Sequence, residues 1–344
     1  MSFFRRLFGG SAPAAPGPAP DAPAGAAPVP GAAPAGPPPP AVEPVVRNVL
    51  VVIHNPVVDA AGRTLSQAMG WYDPDELAGE YIADVRAASH GYLQYRVVGR
   101  EVRDGFPVKA DGFRYDAAGF LRCWREGRGF HEPDAADYNA LLREFDVLRR
   151  VNAGEVDELW LFAGPYAGYF ESHIVGPGAF WCNSPPLDRP ARDAGPACRR
   201  RFVVMGFNYE REVGCMLENL GHRAESIMSR VYEGRGGASD LWQRFTRYDQ
   251  VAPGRAAVGN MHFAPNSVRD YDWGNPRPVT SECDDWLTFP HLSGARRRVD
   301  CHDWGDGDMR RHHLWWFERL PHAGGETEGI ANNWWRYVAD PDTV

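Results

Sequence analysis

Asn48–His54 reads NVLVVIH, a continuous apolar run rich in valine that Asn55-Pro56 then breaks. A run with no polar alternation marks a strand buried on both faces, and an Asn-Pro pair stops such a strand. Toward the C-terminus, Leu77, Tyr81, Ile82 and Val85 recur at helical spacing, which predicts a helix over about 75–88, followed by a second strand over about 92–102. A β-α-β order of this kind implies parallel pairing. Helices are expected over 117–125 and 137–151, then a buried strand at ELWLF (158–162) that ends before Gly164-Pro165. RFVVMGF (201–207) is the fourth strand and leads into a long helix over about 210–231. There is no internal repeat. Short apolar strands alternating with helices predict an α/β fold, an open Rossmann-like three-layer sandwich.

After Gly234 the chain becomes rich in Trp, Asp, Asn, Gly and Pro, with short helical pieces expected near 239–247, 310–319 and 330–338. Long irregular segments in a compact domain usually carry function, so residues 234–344 are expected to form a Trp-rich, loop-rich cap over one end of the sheet. The alternative is an elaborated packing layer, since large aromatics most often serve cores.

Upstream of the first strand the sequence changes character. Residues 1–46 form a Pro/Ala-rich leader that begins MSFFRRLFGG and turns into an Ala/Pro/Gly tract. Prolines recur from Pro13 onward, too often for the continuous apolar helix of an ordinary signal peptide. The tract reads as a disordered, extended spacer. Phe3, Phe4, Arg5, Arg6, Leu7 and Phe8 at its tip suit docking on an anionic membrane surface or in a groove of a protein partner. The expected location is cytoplasmic, or docked to a membrane surface or larger assembly through that tip. A frayed terminus with no role is the alternative. Residues 47–344 are then expected to form a single globular α/β domain.

Composition bounds the rest. The 344-residue chain is 44% hydrophobic and 12% aromatic with 12 Trp, enough to bury a large core without metals or disulfides. Its net charge of −8 argues against a nucleic-acid partner, which needs a concentrated basic surface. Basic charge comes almost wholly from Arg, Lys109 being the only lysine. No apolar run is long enough to cross a membrane. Cys123, Cys182, Cys198, Cys215, Cys283 and Cys301 show no C-x-x-C spacing. Cys182 with Cys198, and Cys283 with Cys301, each flank a short segment, and both local disulfides and separate thiols remain open.

In open α/β sheets ligands bind beyond the carboxyl ends of the strands. That rule selects His54 and Asn55, Gly164 to Tyr166, and Asn208, Tyr209 and Glu210. On the long helix Glu218, His222 and Glu225 fall at i, i+4 and i+7 and project from one face, with Arg211 on the same stripe. Two carboxylates around one imidazole suit metal ligation or an oriented general base, although the spacing is not H-E-x-x-H. A salt-bridged helix face with Arg211 and Arg223 is the competing reading.

A second cluster lies in the late loops: His262, Asn266, Asp270, Asp272, Glu282, Asp284, Asp285 and His291, then His302, Asp303, His312 and His313. Some of these can complete a metal site begun by the helix, or supply the carboxylate pair of a glycosidase with Trp273, Trp286 and Trp304 as sugar platforms. Loop architecture, with Asp and Asn capping turns, is the alternative for each residue. No G-x-S-x-G elbow, P-loop or G-x-G-x-x-G following a strand is present. Cys215 lies inside the long helix and reads as core, and GFNYE (206–210) places Asn208 or Tyr209 where amidotransferase-like folds carry a cysteine.

The segments LWLFAGPYAGYFESHIVGPGAFWCNSPP, FVVMGFNYEREVGCMLENLGHRAESIM and HFAPNSVRDYDWGNPRPVTSECDDW resemble stretches of a bacterial family, many of whose members are exported. The resemblance covers most of residues 48–340 and implies no activity, cofactor or catalytic residue. The residues themselves point to a hydrolase, metal-assisted or general-base, acting on a polar substrate such as a glycan or peptide. His222 is then ligand or base, Glu218 and Glu225 are ligands or orienters, and His262, Asp284 and His302 complete the site around a divalent metal such as zinc. Asn208 and Tyr209 are further catalytic candidates. A non-catalytic carbohydrate- or protein-binding module, and a tethered cargo or scaffold protein addressed by its leader, are the alternatives.

Overall fold

The computed structural model describes residues 41–344, so the expectations for the leader tip and spacer lie outside the described residues. The elements in chain order are β1 (Val45–His54), α1 (Leu65–Met69), α2 (Pro74–Ala88), β2 (Leu93–Arg103), α3 (Ala117–Glu126), α4 (Tyr138–Glu144), α5 (Val147–Asn152), β3 (Glu158–Ala163) and β4 (Ser172–Val175). They continue with β5 (Phe202–Asn208), α6 (Val213–Val231), α7 (Leu241–Phe245), β6 (Val279–Ser281), β7 (Arg297–Val299), α8 (Met309–Glu318), β8 (His322–Thr327), β9 (Ile330–Asn333) and α9 (Trp335–Ala339).

One five-stranded sheet runs in the order β2-β1-β3-β5-β4. β1 pairs in parallel with β2 and β3, and β3 with β5, while β4 is an antiparallel edge strand on β5. The fold is therefore α/β, with a mixed but mainly parallel sheet. Alternation along the strands splits the interior into two layers. Val49, Val51 and Ile53 of β1, with Trp160, Phe162, Val203, Met205 and Phe207, pack against α2, α6 and the cap. Leu50 and Val52, with Leu159, Leu161, Phe202 and Val204, pack against α4 and α5. Both sides of the valine run are thus covered, which is why it carries no polar alternation.

Local chemistry sets the helix ends. Asp73 caps α2 by accepting from the N–H groups of Asp75 and Glu76, with Pro74 at the first helical position. Asp116 caps α3 through Gly119 N, and Gly127 closes it at φ 64. The single helix expected over 137–151 is two helices, because Asp146 turns the chain at φ 51 and redirects Val147, Leu148 and Val151 into the second layer. The helix expected from Ile330 is a short strand, β9, paired with β8, and only Trp335–Ala339 is helical.

The cap is held by its own aromatic core. Trp242, Phe245, Trp286, Trp316 and Trp334 form a cluster of edge-to-face and tilted ring contacts. Trp273, Trp286 and Trp304 are 4%, 1% and 1% exposed. They belong to this core and are unavailable as sugar platforms. All six cysteines are free thiols, with Cys182 beside the Ser172 hydroxyl and Cys198 donating to the Arg200 carbonyl. Among the described residues, no helix is long and apolar enough to cross a membrane.

Candidate metal centre

α6 runs beneath the cap and turns two faces to different neighbours. One face carries Met216, Leu217, Leu220, Arg223, Ala224 and Ile227 into the interior. Arg223 is fully buried and donates to Glu158 Oε1 at 2.8 Å, so it does not share the stripe of Glu218, His222 and Glu225. The competing picture of a face salt-bridged through Arg223 therefore fails, and Arg211 pairs with Glu210 instead. That leaves the other face to the cap, where Met261, His262 and Tyr271 meet it.

The side chains converge at their tips. His222 Nε2 lies 3.1 Å from His262 Nε2, and Glu218 Oε1 lies 3.2 Å from His262 Nε2 and 3.8 Å from His222 Nε2. The Tyr271 hydroxyl donates to Glu218 Oε1 at 2.9 Å and sits 3.1 Å from His262 Nε2. Behind each ring stands a carboxylate: Glu225 Oε2 is 2.9 Å from His222 Nδ1, and Asp270 Oδ1 is 2.9 Å from His262 Nδ1. Glu225 is itself fixed, because its other oxygen accepts from Met261 N at 2.9 Å.

A carboxylate only accepts hydrogen bonds, so His222 Nδ1 carries the proton it gives to Glu225, and the charge of Asp270 beside His262 Nδ1 favours a proton on that nitrogen too. In a neutral ring the lone pair then sits on Nε2. Two imidazole lone pairs and a carboxylate oxygen consequently point at one small volume, with the Tyr271 proton the only donor among them. Such a set requires positive charge, either an added proton or a cation. The protonation states reflect the same demand. Burial disfavours ionised Glu218, yet hydrogen bonds from His222 and His262 outweigh it and hold the carboxyl far below its usual range. Burial likewise opposes protonated His222 and His262, but Glu218 raises both, helped at His222 by Glu225.

The surroundings are polar and layered. Glu171, just ahead of β4, has its carboxyl raised by burial while the positive charge of His222 pulls it down, and it accepts from the Asn183 amide. Buried His313 is held neutral, its imidazole lowered to about 3 by burial. Neither the reach of Tyr271 nor that of Glu171 is visible in a periodicity. Tyr271 sits next to Asp270 in a segment already dense in candidates, which is the one sequence signal for it.

Other expected site residues go elsewhere. Glu225 touches the far nitrogen of His222, so it orients the ring and is not one of the three converging donors. Asp284 is held between Arg297 and Arg319, and despite burial those guanidinium groups lower its carboxyl to about 2. Both of its carboxylate oxygens are engaged in ion pairs. His302 is exposed on a short turn with its Nδ1 against Asp306, and it groups with Asp300 and Cys301 in a second set of possible ligands, apart from Glu218, His222 and His262. Asn208 accepts from Glu210 N and shapes the turn into α6, while the buried Tyr209 donates its hydroxyl to the His54 carbonyl at 3.0 Å. At the same strand ends His54 meets Tyr169 at 2.8 Å and Asn55 binds Ser66, so these groups satisfy one another.

No family model, curated protein or solved structure matches the chain.

Proposed function

We propose that this protein is a metal-dependent hydrolase whose cation is held by Glu218, His222 and His262. The observation that carries the reading is the convergence of three donor atoms within 4.8 Å of one another, with a carboxylate oxygen 2.9 Å from each histidine Nδ1. Two imidazoles and one carboxylate with a further position open is the ligand set of catalytic zinc, and carboxylate-backed histidines are its usual second layer. A bound divalent ion such as zinc would polarise a substrate carbonyl and lower the pKa of a bound water.

The chain's own groups supply the rest. Glu225 and Asp270 fix the tautomer and angle of the two rings. The Tyr271 hydroxyl, within hydrogen-bond reach of both Glu218 and His262, is placed to donate to an oxygen bound there. Glu171, a carboxyl whose affinity for a proton is raised by burial, is the group suited to holding and returning a proton. The strand order, with helices on both faces of a mainly parallel sheet, supports reading the scaffold as Rossmann-like. The centre nonetheless uses the cap-facing flank of α6, not the strand ends.

Elemental mass spectrometry on protein purified without added metal tests the reading. About one divalent ion per chain is expected in the wild type, and none in His222→Ala or His262→Ala with melting temperatures showing that both still fold. Absence of metal from the wild type, even after equilibration with zinc, would sink the proposal. A redox-active iron centre that consumes dioxygen would also overturn it, since the same donor set serves non-haem iron.

A further inference from the structure

Two adjoining cavities of about 530 and 350 Å³ share Glu225 and Ser229 and form one cleft along α6. His222 and His262 line one end, and Phe180 and Trp181 line the other. Trp181 is 61% exposed, the most exposed large apolar side chain among the described residues. An indole left in water beside a groove is an unsatisfied apolar surface that a ligand can cover. From this arrangement we infer that the cleft holds a saccharide chain, with one sugar stacked on Trp181 and a neighbouring unit presented to the histidine centre. The inference rests on the proposed function only for what happens at that centre, and the binding itself stands apart from it.

The lining chemistry selects this ligand class. Ser226 accepts from Asn183 N at 3.2 Å and Ser229 accepts from Trp242 Nε1 at 3.1 Å, and each hydroxyl keeps its own proton to give away. Asn260 Oδ1 is taken by the N–H groups of His262 and Phe263, which leaves its amide NH2 as a further donor. Donors and acceptors set around an aromatic face match a sugar, which has an apolar C–H face and a rim of hydroxyls. An extended peptide fits less well, because capturing its main chain needs a sheet edge and every lining residue lies on a helix or loop. At the Trp181 end of the cleft, phosphorylated or other strongly anionic ligands are disfavoured by Glu225 and Glu233, the one arginine lining that end, Arg230, being paired with Glu233.

An array of neutral, amino-sugar and acidic oligosaccharides, probed with the full chain in the presence of a chelator, tests the inference. Binding is expected to neutral or amino-sugar chains. Titration with the strongest array ligand should then show at least tenfold weaker binding in Trp181→Ala and an intermediate loss in Trp181→Phe. Trp181 is exposed, so both variants should melt as the wild type does. Failure of the wild type to bind any oligosaccharide, or equal binding by Trp181→Ala, overturns the inference. Metal content of Trp181→Ala, purified without the chelator, separates the two readings, since that variant should keep the metal of the wild type while losing the saccharide.

Discussion

Glu218 and Glu225 are both glutamates on one face of α6, one turn either side of His222, yet their atoms do different things. Glu218 presents an oxygen to the same point as the two Nε2 atoms, whereas Glu225 grips His222 Nδ1 from behind and is pinned by Met261 N. Removing a ligand should abolish tight binding, but removing an orienting partner leaves the ligands in place and costs only about 10–100-fold in affinity. Glu225→Gln is accordingly expected to bind zinc about 10–100-fold more weakly than the wild type, and Glu218→Gln to lose it entirely. Competition against a chromophoric chelator measures both. Equal losses in the two variants would show that Glu225 is a ligand after all. His222 and Arg223, consecutive residues, make the same point about direction. The imidazole meets the cap, while the guanidinium is buried against Glu158 and the Val338 carbonyl. A helical stripe can be read from spacing, but which side of it meets which partner depends on elements far away in the chain.

α6 and the loop that carries His262 are fitted together at Gly221. A Cβ at that position would lie 1.8 Å from Met261 Sδ and 2.2 Å from its Cγ, so only glycine leaves room for the Met261 side chain against the helix. Ala normally stabilises a helix interior by about 1 kcal/mol over Gly. Here overpacking of about 1–3 kcal/mol should exceed that gain and push Met261, and with it His262, away from His222. Gly221→Ala is therefore expected to lower the urea midpoint in the wild type and raise it in a Met261→Ala background, where the obstruction is gone. The same sign in both backgrounds would refute the fit. Elements whose residues answer to their immediate neighbours were legible in the sequence. β1, β3 and β5 are continuous apolar runs, and α3 sits between an Asp cap and a Gly cap. Where distant packing decides, local pattern was insufficient. Asp146 splits α4 from α5, β4 is four residues long, and Ile330–Asn333 pairs with β8 instead of continuing a helix. The site divides the same way, since helical periodicity placed Glu218, His222 and Glu225 together. Choosing His262 over His302 from the loops, or finding Tyr271 and Glu171, needed the path of the cap.

At the scale of the whole molecule, the sheet and the cap bury several histidines that take no part in the centre, and these make folding sensitive to acid. His54, at the end of β1, and His173, on β4, are each 4% exposed, and burial lowers both imidazoles to about 4. His54 sits against the Tyr169 hydroxyl and His173 against Ser184, at 2.8 Å each, while His173 Nε2 has no partner. Unfolded, each ring takes a proton near its ordinary pKa of about 6.5. Between that value and about 4 the unfolded chain binds more protons than the folded one, so stability falls as pH falls through this window and levels off below it. The shift corresponds to about 2 kcal/mol per histidine at pH 5 relative to pH 7. Other groups titrate over overlapping ranges, so the total slope alone would not identify the cause. His173→Gln isolates one contribution: a neutral amide can still bond Ser184 but cannot be protonated. Urea unfolding at pH 7 and pH 5 should show that variant losing about 2 kcal/mol less between the two conditions than the wild type does. Identical losses would mean that His173 is already protonated in the folded protein at pH 5, and that the space around its Nε2 admits water.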